Sequence, residues 1–293
     1  MESMQCNLCK STKNENYLEK DNWQIGRCKN CGLIFLNNIP SDNILESLYD
    51  DNFFKDGQKS PKEGIKLEYN PTYLNAQKRL EDIRKYGWEK GMLLDIGCGT
   101  GIFIKAASKY YNCIGLDISK DAIEFAVQSL GVEAISGSIL DIDFKDQLFD
   151  IITMWDVIEH VSDPNEYMRA ISRMIHPGGL LAITTGDIES IMFKIQNKNW
   201  HLLIPPIHLF YFSPKTITFL LEKHGFKVIK ISRIGQYTNI GYMLNKIKRL
   251  HSNSTFIKFI VNMTNRFKLN KFNLYMNLYD VMTVYAKYDP RKR

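Results

Sequence analysis

Between residues 91 and 185, short apolar runs alternate with stretches whose apolar residues recur every three or four positions. The runs at 92–96, 112–116, 133–136, 149–154 and 180–184 read as buried strands. The stretches at 102–109, 120–130 and 164–175 read as amphipathic helices. Strict alternation of this kind predicts a parallel sheet with helices on both faces. Asp163 and Pro164 suit the N-cap and first position of the third helix, and His176-Pro177-Gly178-Gly179 is expected to stop it. Farther along, helices are expected at 189–196 and 214–224, the second closed by Gly225, with strands at 226–231 and 281–288. Seven strands in all make an α/β domain.

The flanks follow different patterns. Residues 1–40 hold four of the six cysteines, and Pro40-Ser41-Asp42 marks a boundary. A helical connector is expected over 41–90, with Leu45 and Leu48 on one helix and Leu74, Leu80 and Ile83 on another. The main domain then occupies 91–293, with a basic, partly amphipathic insertion at about 234–279 that includes Met243, Leu244, Ile247, Leu250, Phe256, Phe259 and Ile260. No apolar run approaches the roughly 18 residues of a membrane-spanning helix. The first residues lack a basic start followed by an apolar segment, so a cytoplasmic location is expected. The net charge of +6 is uneven: residues 241–293 carry eleven Lys/Arg against Asp280 and Asp289, a net of +9, so the remainder is −3. That basic segment could meet an anionic membrane surface peripherally.

Candidate chemistry begins where the first strand of the sheet meets a glycine turn. Asp95-Ile96-Gly97-Cys98-Gly99-Thr100-Gly101 sits after an apolar strand and before a helix, where backbone N–H groups can face a nucleotide-like cofactor. Asp95 would repel a pyrophosphate but can hold the amino end of an amino-acid-like cofactor, which favours S-adenosylmethionine (SAM) over a dinucleotide. Asp117 closes the next strand, where a carboxylate can accept from both hydroxyls of a ribose.

Residues 91–185 resemble the class I SAM-dependent methyltransferases. The resemblance rests on Leu93–Gly101, on Gly115-Leu116-Asp117-Ile118-Ser119, on Phe149–Val161 and on Pro177–Thr185. It implies a Rossmann-like, seven-stranded, mostly parallel sheet with helices on both faces. It also implies that Asp95, Gly97, Gly99 and Gly101 hold the methionine part of SAM. Asp117 would then hold the ribose, with Ile118 next to it also in the cofactor site, the Gly137-Ser138-Ile139 turn the adenine, and Trp155, with Asp156, would flank the transferable methyl. Many relatives carry an acidic residue where Ser138 stands, a departure at the adenine contact.

Methyl transfer to a hydroxyl or carbon acid needs an aligned acceptor and removal of its proton. His208, in His208-Leu209-Phe210-Tyr211-Phe212-Ser213, is the expected base, with His160 and Tyr211 as helpers; His201 and His224 read as surface or capping residues. Cys6-x-x-Cys9 and Cys28-x-x-Cys31 have the spacing of a four-thiolate structural zinc site, which makes residues 1–40 a zinc-ribbon-like module. Such a module ahead of a methyltransferase domain resembles bacterial sugar methyltransferases. The expected acceptor is accordingly a sugar or sugar nucleotide, in surface-polysaccharide or natural-product biosynthesis. The alternative is an RNA base methyltransferase that grips nucleic acid through the zinc module. The near balance of charge in that module, five Lys/Arg against four Asp/Glu, makes nucleic acid the less favoured partner.

Overall fold

The computed structural model describes residues 5–40, 67–241, 244, 263–264 and 272–292. Near the N-terminus, β1 (Asn14–Lys20) and β2 (Trp23–Cys28) form an antiparallel hairpin, and β3 (Ile34–Leu36) pairs with β2. The two residues joining β1 to β2, Asp21 and Asn22, have φ of 50° and 64°. Two left-handed residues in a two-residue loop give a turn whose twist matches that of the strands, and Asp and Asn tolerate that conformation best after glycine.

Helix α1 (Pro71–Lys85) opens with Asn70, whose side chain accepts from the Thr72 amide at 2.8 Å, and with Pro71 at its first position. Its buried residues Tyr73, Ala76, Leu80 and Ile83 follow helical spacing and pack with Leu93, Phe103 and Ile151. Although the sequence places α1 in a connector, it forms part of the layer covering the sheet. The helix expected around Leu45 and Leu48 lies outside the described residues.

The chain then runs through β4 (Met92–Ile96), α2 (Ile102–Ala107), β5 (Asn112–Asp117), α3 (Lys120–Leu130), β6 (Ala134–Ser136), β7 (Phe149–Trp155), α4 (Pro164–Met174) and β8 (Ile175–Gly186). Then follow α5 (Ile191–Gln196), β9 (Phe210–Tyr211), α6 (Pro214–Lys223), β10 (Phe226–Ser232), β11 (Gln236–Asn239), β12 (Asn273–Met276) and β13 (Val281–Tyr288). The main sheet has the order β10-β13-β8-β7-β4-β5-β6. From β8 to β6 it is parallel; β13 enters antiparallel between β8 and β10. The continuous apolar runs are thereby explained, because a strand covered on both faces has no solvent side on which to place polar residues. The expected Rossmann-like sheet is present.

Two boundaries differ from expectation. Helix α4 ends at Met174, and β8 starts at Ile175 and runs through the proline-glycine block, five residues before the expected strand. Ile175 pairs with Phe149, so the block is a slipped start of the strand rather than a loop. In the insertion, β11 and β12 pair antiparallel, while all of its Lys and Arg residues fall outside the described residues. Among the described residues no helix is long and apolar enough to cross a membrane.

Strand β9 leaves the main domain altogether. Phe210 pairs with Phe35 and Tyr211 with Ile34, so β9 becomes the fourth strand of the N-terminal sheet, in the order β1-β2-β3-β9. The apolar core is continuous across this junction, running from Leu33 and Phe35 to Phe212 and Leu220.

Candidate functional site

The carboxyl ends of β4, β5, β6 and β7 lie side by side, and strand order reverses between β4 and β7. In open α/β sheets that is where a ligand crevice forms. Gly97, Gly99 and Gly101 turn the chain there with φ of 74°, 52° and 77°. At Gly97 space is limiting too: a Cβ would come 2.3 Å from Val157 Cγ2, so the glycine turn and the segment after β7 are in direct contact.

The expected cofactor residues gather at this crevice. Asp95 is 1% exposed and its Oδ1 accepts from Thr153 Oγ1 at 2.6 Å. Burial pushes its carboxyl up to about 7, outweighing the Thr153 hydrogen bond and the Arg79 charge, which act the other way. Asp117 accepts from the Gly99 amide at 2.7 Å and from the Ser119 amide at 2.9 Å, so the ribose-type carboxylate also braces the glycine turn. Ile118 is exposed beside it. Ser138 Oγ accepts from the Leu140 amide at 3.2 Å and lies 3.4 Å from Tyr167 Oη, whereas the Ile139 side chain is buried in the core, leaving only its backbone for an adenine contact. A glycine cradle flanked by two carboxylates fits a cationic amino-acid end and a ribose, the two halves of SAM.

Trp155 closes β7, with Phe103 edge-on at 5.1 Å and the Arg79 guanidinium over its ring at 4.5 Å. Arg79 also reaches Asp156 Oδ2 at 3.5 Å. This arginine was not legible in the sequence, where α1 looked like a connector. Asp156 turns the chain out of the sheet with φ 58°, unusual for a residue other than glycine. Its Oδ1 accepts from Thr184 Oγ1 at 2.9 Å, and its amide donates to that same oxygen at 2.9 Å, which holds the turn in place.

That turn delivers Glu159 and His160. The Glu159 carbonyl accepts from the amides of Leu209 and Phe210 at 2.8 and 3.3 Å, tying the segment after β7 to the loop that carries His208. The His160 and His208 rings consequently meet edge to face, 4.7 Å between centroids, and Tyr211 lies 6.3 Å from His208. His208 Nδ1 is 2.7 Å from the Leu202 carbonyl, and His160 Nδ1 is 3.0 Å from the Ile207 carbonyl. A carbonyl only accepts, so each Nδ1 carries a proton, and in neutral His208 the lone pair falls to Nε2. Burial and the neighbouring His160 push His208 well below the ordinary histidine range, keeping it neutral. Glu159, missed in the sequence although it sits beside His160, is 3% exposed; burial pushes its carboxyl up to about 8, helped by the nearby Asp156 charge. Its Oε2, the Tyr211 hydroxyl and the Trp155 indole nitrogen are buried without a hydrogen-bond partner among the described residues. His201 lies 3.6 Å from Asp280 Oδ2, and His224 caps α6 but is buried against Asn165 rather than at the surface.

In the N-terminal module Cys6 and Cys31 Sγ are 3.6 Å apart and Cys9 and Cys28 Sγ 3.5 Å, with all four sulfurs within 4.8 Å of one another. Four sulfurs about 2.3 Å from one tetrahedral ion sit about 3.8 Å apart, so the set has the compactness a zinc site needs. Cys98 and Cys113 lie in the second core cluster, as packing residues.

Residues 69–231 match the family model described as a methyltransferase domain. The chain is similar to the ubiquinone biosynthesis O-methyltransferases of Colwellia psychrerythraea and Coxiella burnetii. Each is 28% identical, over 163 residues for the first (51% of this chain, 66% of that protein) and 177 for the second (56% and 76%). Its fold is that of the magnesium protoporphyrin IX methyltransferase of Synechocystis PCC 6803 (TM-score 0.55, 12% identity, 85% of this chain and 100% of that one). The expected sugar or sugar-nucleotide acceptor, with its RNA alternative and its placing in polysaccharide biosynthesis, does not stand against these relatives, which are named for O-methylation in ubiquinone biosynthesis. The N-terminal cysteine module that suggested a sugar is joined to β9 through β3, a pairing that does not itself identify an acceptor. The chain belongs to the class I SAM-dependent methyltransferases.

Proposed function

We propose that the protein transfers the methyl group of SAM to a hydroxyl oxygen on a small quinone-type aromatic ring. The observation that carries this reading is the buried His208 imidazole, which offers its Nε2 lone pair with the half-buried His160 ring edge-on beside it. The names of the similar proteins supply the acceptor class. A phenol ionises near pH 10, so it must be deprotonated before it attacks. That happens at His208, with His160 beside it and the Tyr211 hydroxyl as a hydrogen-bonding partner. Trp155 and Tyr211 supply flat, largely apolar walls for an aromatic ring.

SAM supplies an electrophilic methyl on its sulfonium. Gly97, Gly99 and Gly101 hold its methionine end together with Asp95; Asp117 and Ile118 hold the ribose; Ser138 and the Ile139 backbone hold the adenine. Cys6, Cys9, Cys28 and Cys31 hold a structural zinc, which has no open position for chemistry and serves to keep β3 in place under β9. The test is to incubate the protein with labelled SAM and a panel of catechol-type and hydroxyquinone acceptors. Label recovered as an aryl methyl ether supports the reading. A panel left unlabelled by protein that binds SAM normally would sink it.

A further inference from the structure

We propose that Asp280 is a positioning residue for His208: acting through the Trp200 indole and the Leu202 carbonyl, it keeps the imidazole proton on Nδ1 and leaves Nε2 to accept. That this readies His208 for proton removal rests on the O-methylation reading above; the holding itself does not.

Asp280 lies immediately before β13, on the rigid side of the arrangement. Val281 pairs with Gly186 at the end of β8, and the Asp280 carbonyl accepts from the Asp187 amide at 2.8 Å. Asp280 is 3% exposed, and its Oδ2 accepts from the Trp200 indole N–H at 2.9 Å, with His201 Nδ1 3.6 Å away. Hydrogen bonds to a carboxylate are about twice as strong as those between neutral groups, so this one fixes the buried indole firmly. Space fixes it from the other side: a Cβ on Gly186 would come 3.0 Å from Trp200 Cη2, which sets the indole against the strand end.

Trp200 opens the turn on which His208 depends. Its carbonyl accepts from the Leu203 amide at 3.0 Å, so Leu202 sits inside a turn that Trp200 closes. The Leu202 carbonyl then accepts from His208 Nδ1 at 2.7 Å, while the His208 amide donates to the Ile204 carbonyl at 3.1 Å. Ring and backbone of His208 are thus both anchored on residues 202–204, and those on Trp200. The rings beside His208, His160 at 4.7 Å and Tyr211 at 6.3 Å between centroids, resist its displacement but do not choose which nitrogen carries the proton. That choice falls to the Leu202 carbonyl. A carbonyl displaced by about 1 Å no longer accepts, and a neutral imidazole then shares its proton between its two nitrogens.

The test is long-range 1H–15N correlation of the histidine side chains in the full chain at neutral pH, which reports the protonated nitrogen of each ring. The His208 signal is the one lost in His208→Gln. In the wild type the proton is expected on Nδ1. In Asp280→Ala it should spread over both nitrogens, and in Asp280→Asn, whose amide oxygen still accepts from the indole, it should return to Nδ1. For aryl methylation, kcat is expected to fall by about 10- to 100-fold in the alanine variant, with KM for SAM within about threefold, and to recover largely in the asparagine variant. Thermal unfolding and SAM affinity on the same samples show whether each variant is folded. If Asp280→Ala does not fold, Trp200→Phe, which keeps an aromatic ring and removes the donor, carries the comparison. A wild-type His208 protonated on Nε2, or a folded variant whose proton stays on Nδ1, would overturn the proposal. A redistributed proton with undiminished turnover would uphold Asp280 as the residue that holds His208 and reject His208 as the base. Absence of aryl methylation from every sample would reject the acceptor reading and leave the tautomer result standing.

Discussion

Val157 packs directly onto Gly97: a Cβ on the glycine would fall 2.3 Å from the valine's Cγ2. The glycine turn and the segment that carries Glu159 and His160 therefore share one surface, and a change on either side is felt on the other. Gly97→Ala is expected to lower SAM affinity by at least about 10-fold, since left-handed backbone alone costs about 1–3 kcal/mol. Val157→Ala in the same chain should restore part of the loss, the steric part, because φ stays positive at 74°. Calorimetry on the two single variants and the double variant measures this coupling; strictly additive effects would refute it.

His208→Ala should reduce methyl transfer by about 100- to 10,000-fold while leaving SAM affinity close to wild type, because the role proposed for the ring is to ionise the acceptor and not to hold SAM. Single-turnover kinetics with pre-bound SAM separate the two quantities. Turnover within a few-fold of wild type would show that the hydroxyl is ionised elsewhere.

Asp95 predicts a pH signature. Its folded pKa, about 7, lies above the ordinary carboxylate value, so the stabilising difference is complete below about pH 4 and is lost as the pH rises through 7. Relative to Asp95→Asn, which stays neutral, the wild-type apo protein should lose thermal stability between about pH 5 and 8. SAM, whose ammonium favours the ionised carboxylate, should bind more tightly over that interval and release a proton as it does so. Parallel melting curves for the two proteins across the range would contradict the assignment.

Removing the proposed zinc should impair the proposed acceptor side and spare the cofactor side. Cys28→Ser, or treatment with a strong chelator, is expected to weaken acceptor binding and turnover, because β3 no longer fixes β9. SAM affinity should change by less than about threefold, since the crevice at β4 and β5 makes no pairing with the module. Metal analysis alongside SAM calorimetry distinguishes this from general unfolding.

The cofactor half of the protein was legible in the sequence because its requirements are local. A glycine forced into left-handed φ beside a close neighbour, and a carboxylate at a strand end, leave marks within a few residues of each other. The cysteine pairs were legible for the same reason. Arg79 and Glu159 were not, because their significance is set by partners far along the chain: Arg79 by Trp155, and Glu159 by the loop before β9. The acceptor was misread because the sequence from Phe210 to Tyr211 records strand pairing with Ile34 and Phe35 more than it records what binds beside it.

The antiparallel pairing of Ile34 with Tyr211 and of Phe35 with Phe210 also changes what counts as a unit of this protein. A chain cut at residue 40 would yield two fragments, each with a raw strand edge: β3 on one, β9 on the other. Neither edge carries a proline or a lysine to discourage association, and both strands are apolar. Truncated versions made to isolate the catalytic domain should therefore self-associate, whereas the intact chain buries the same edges against itself.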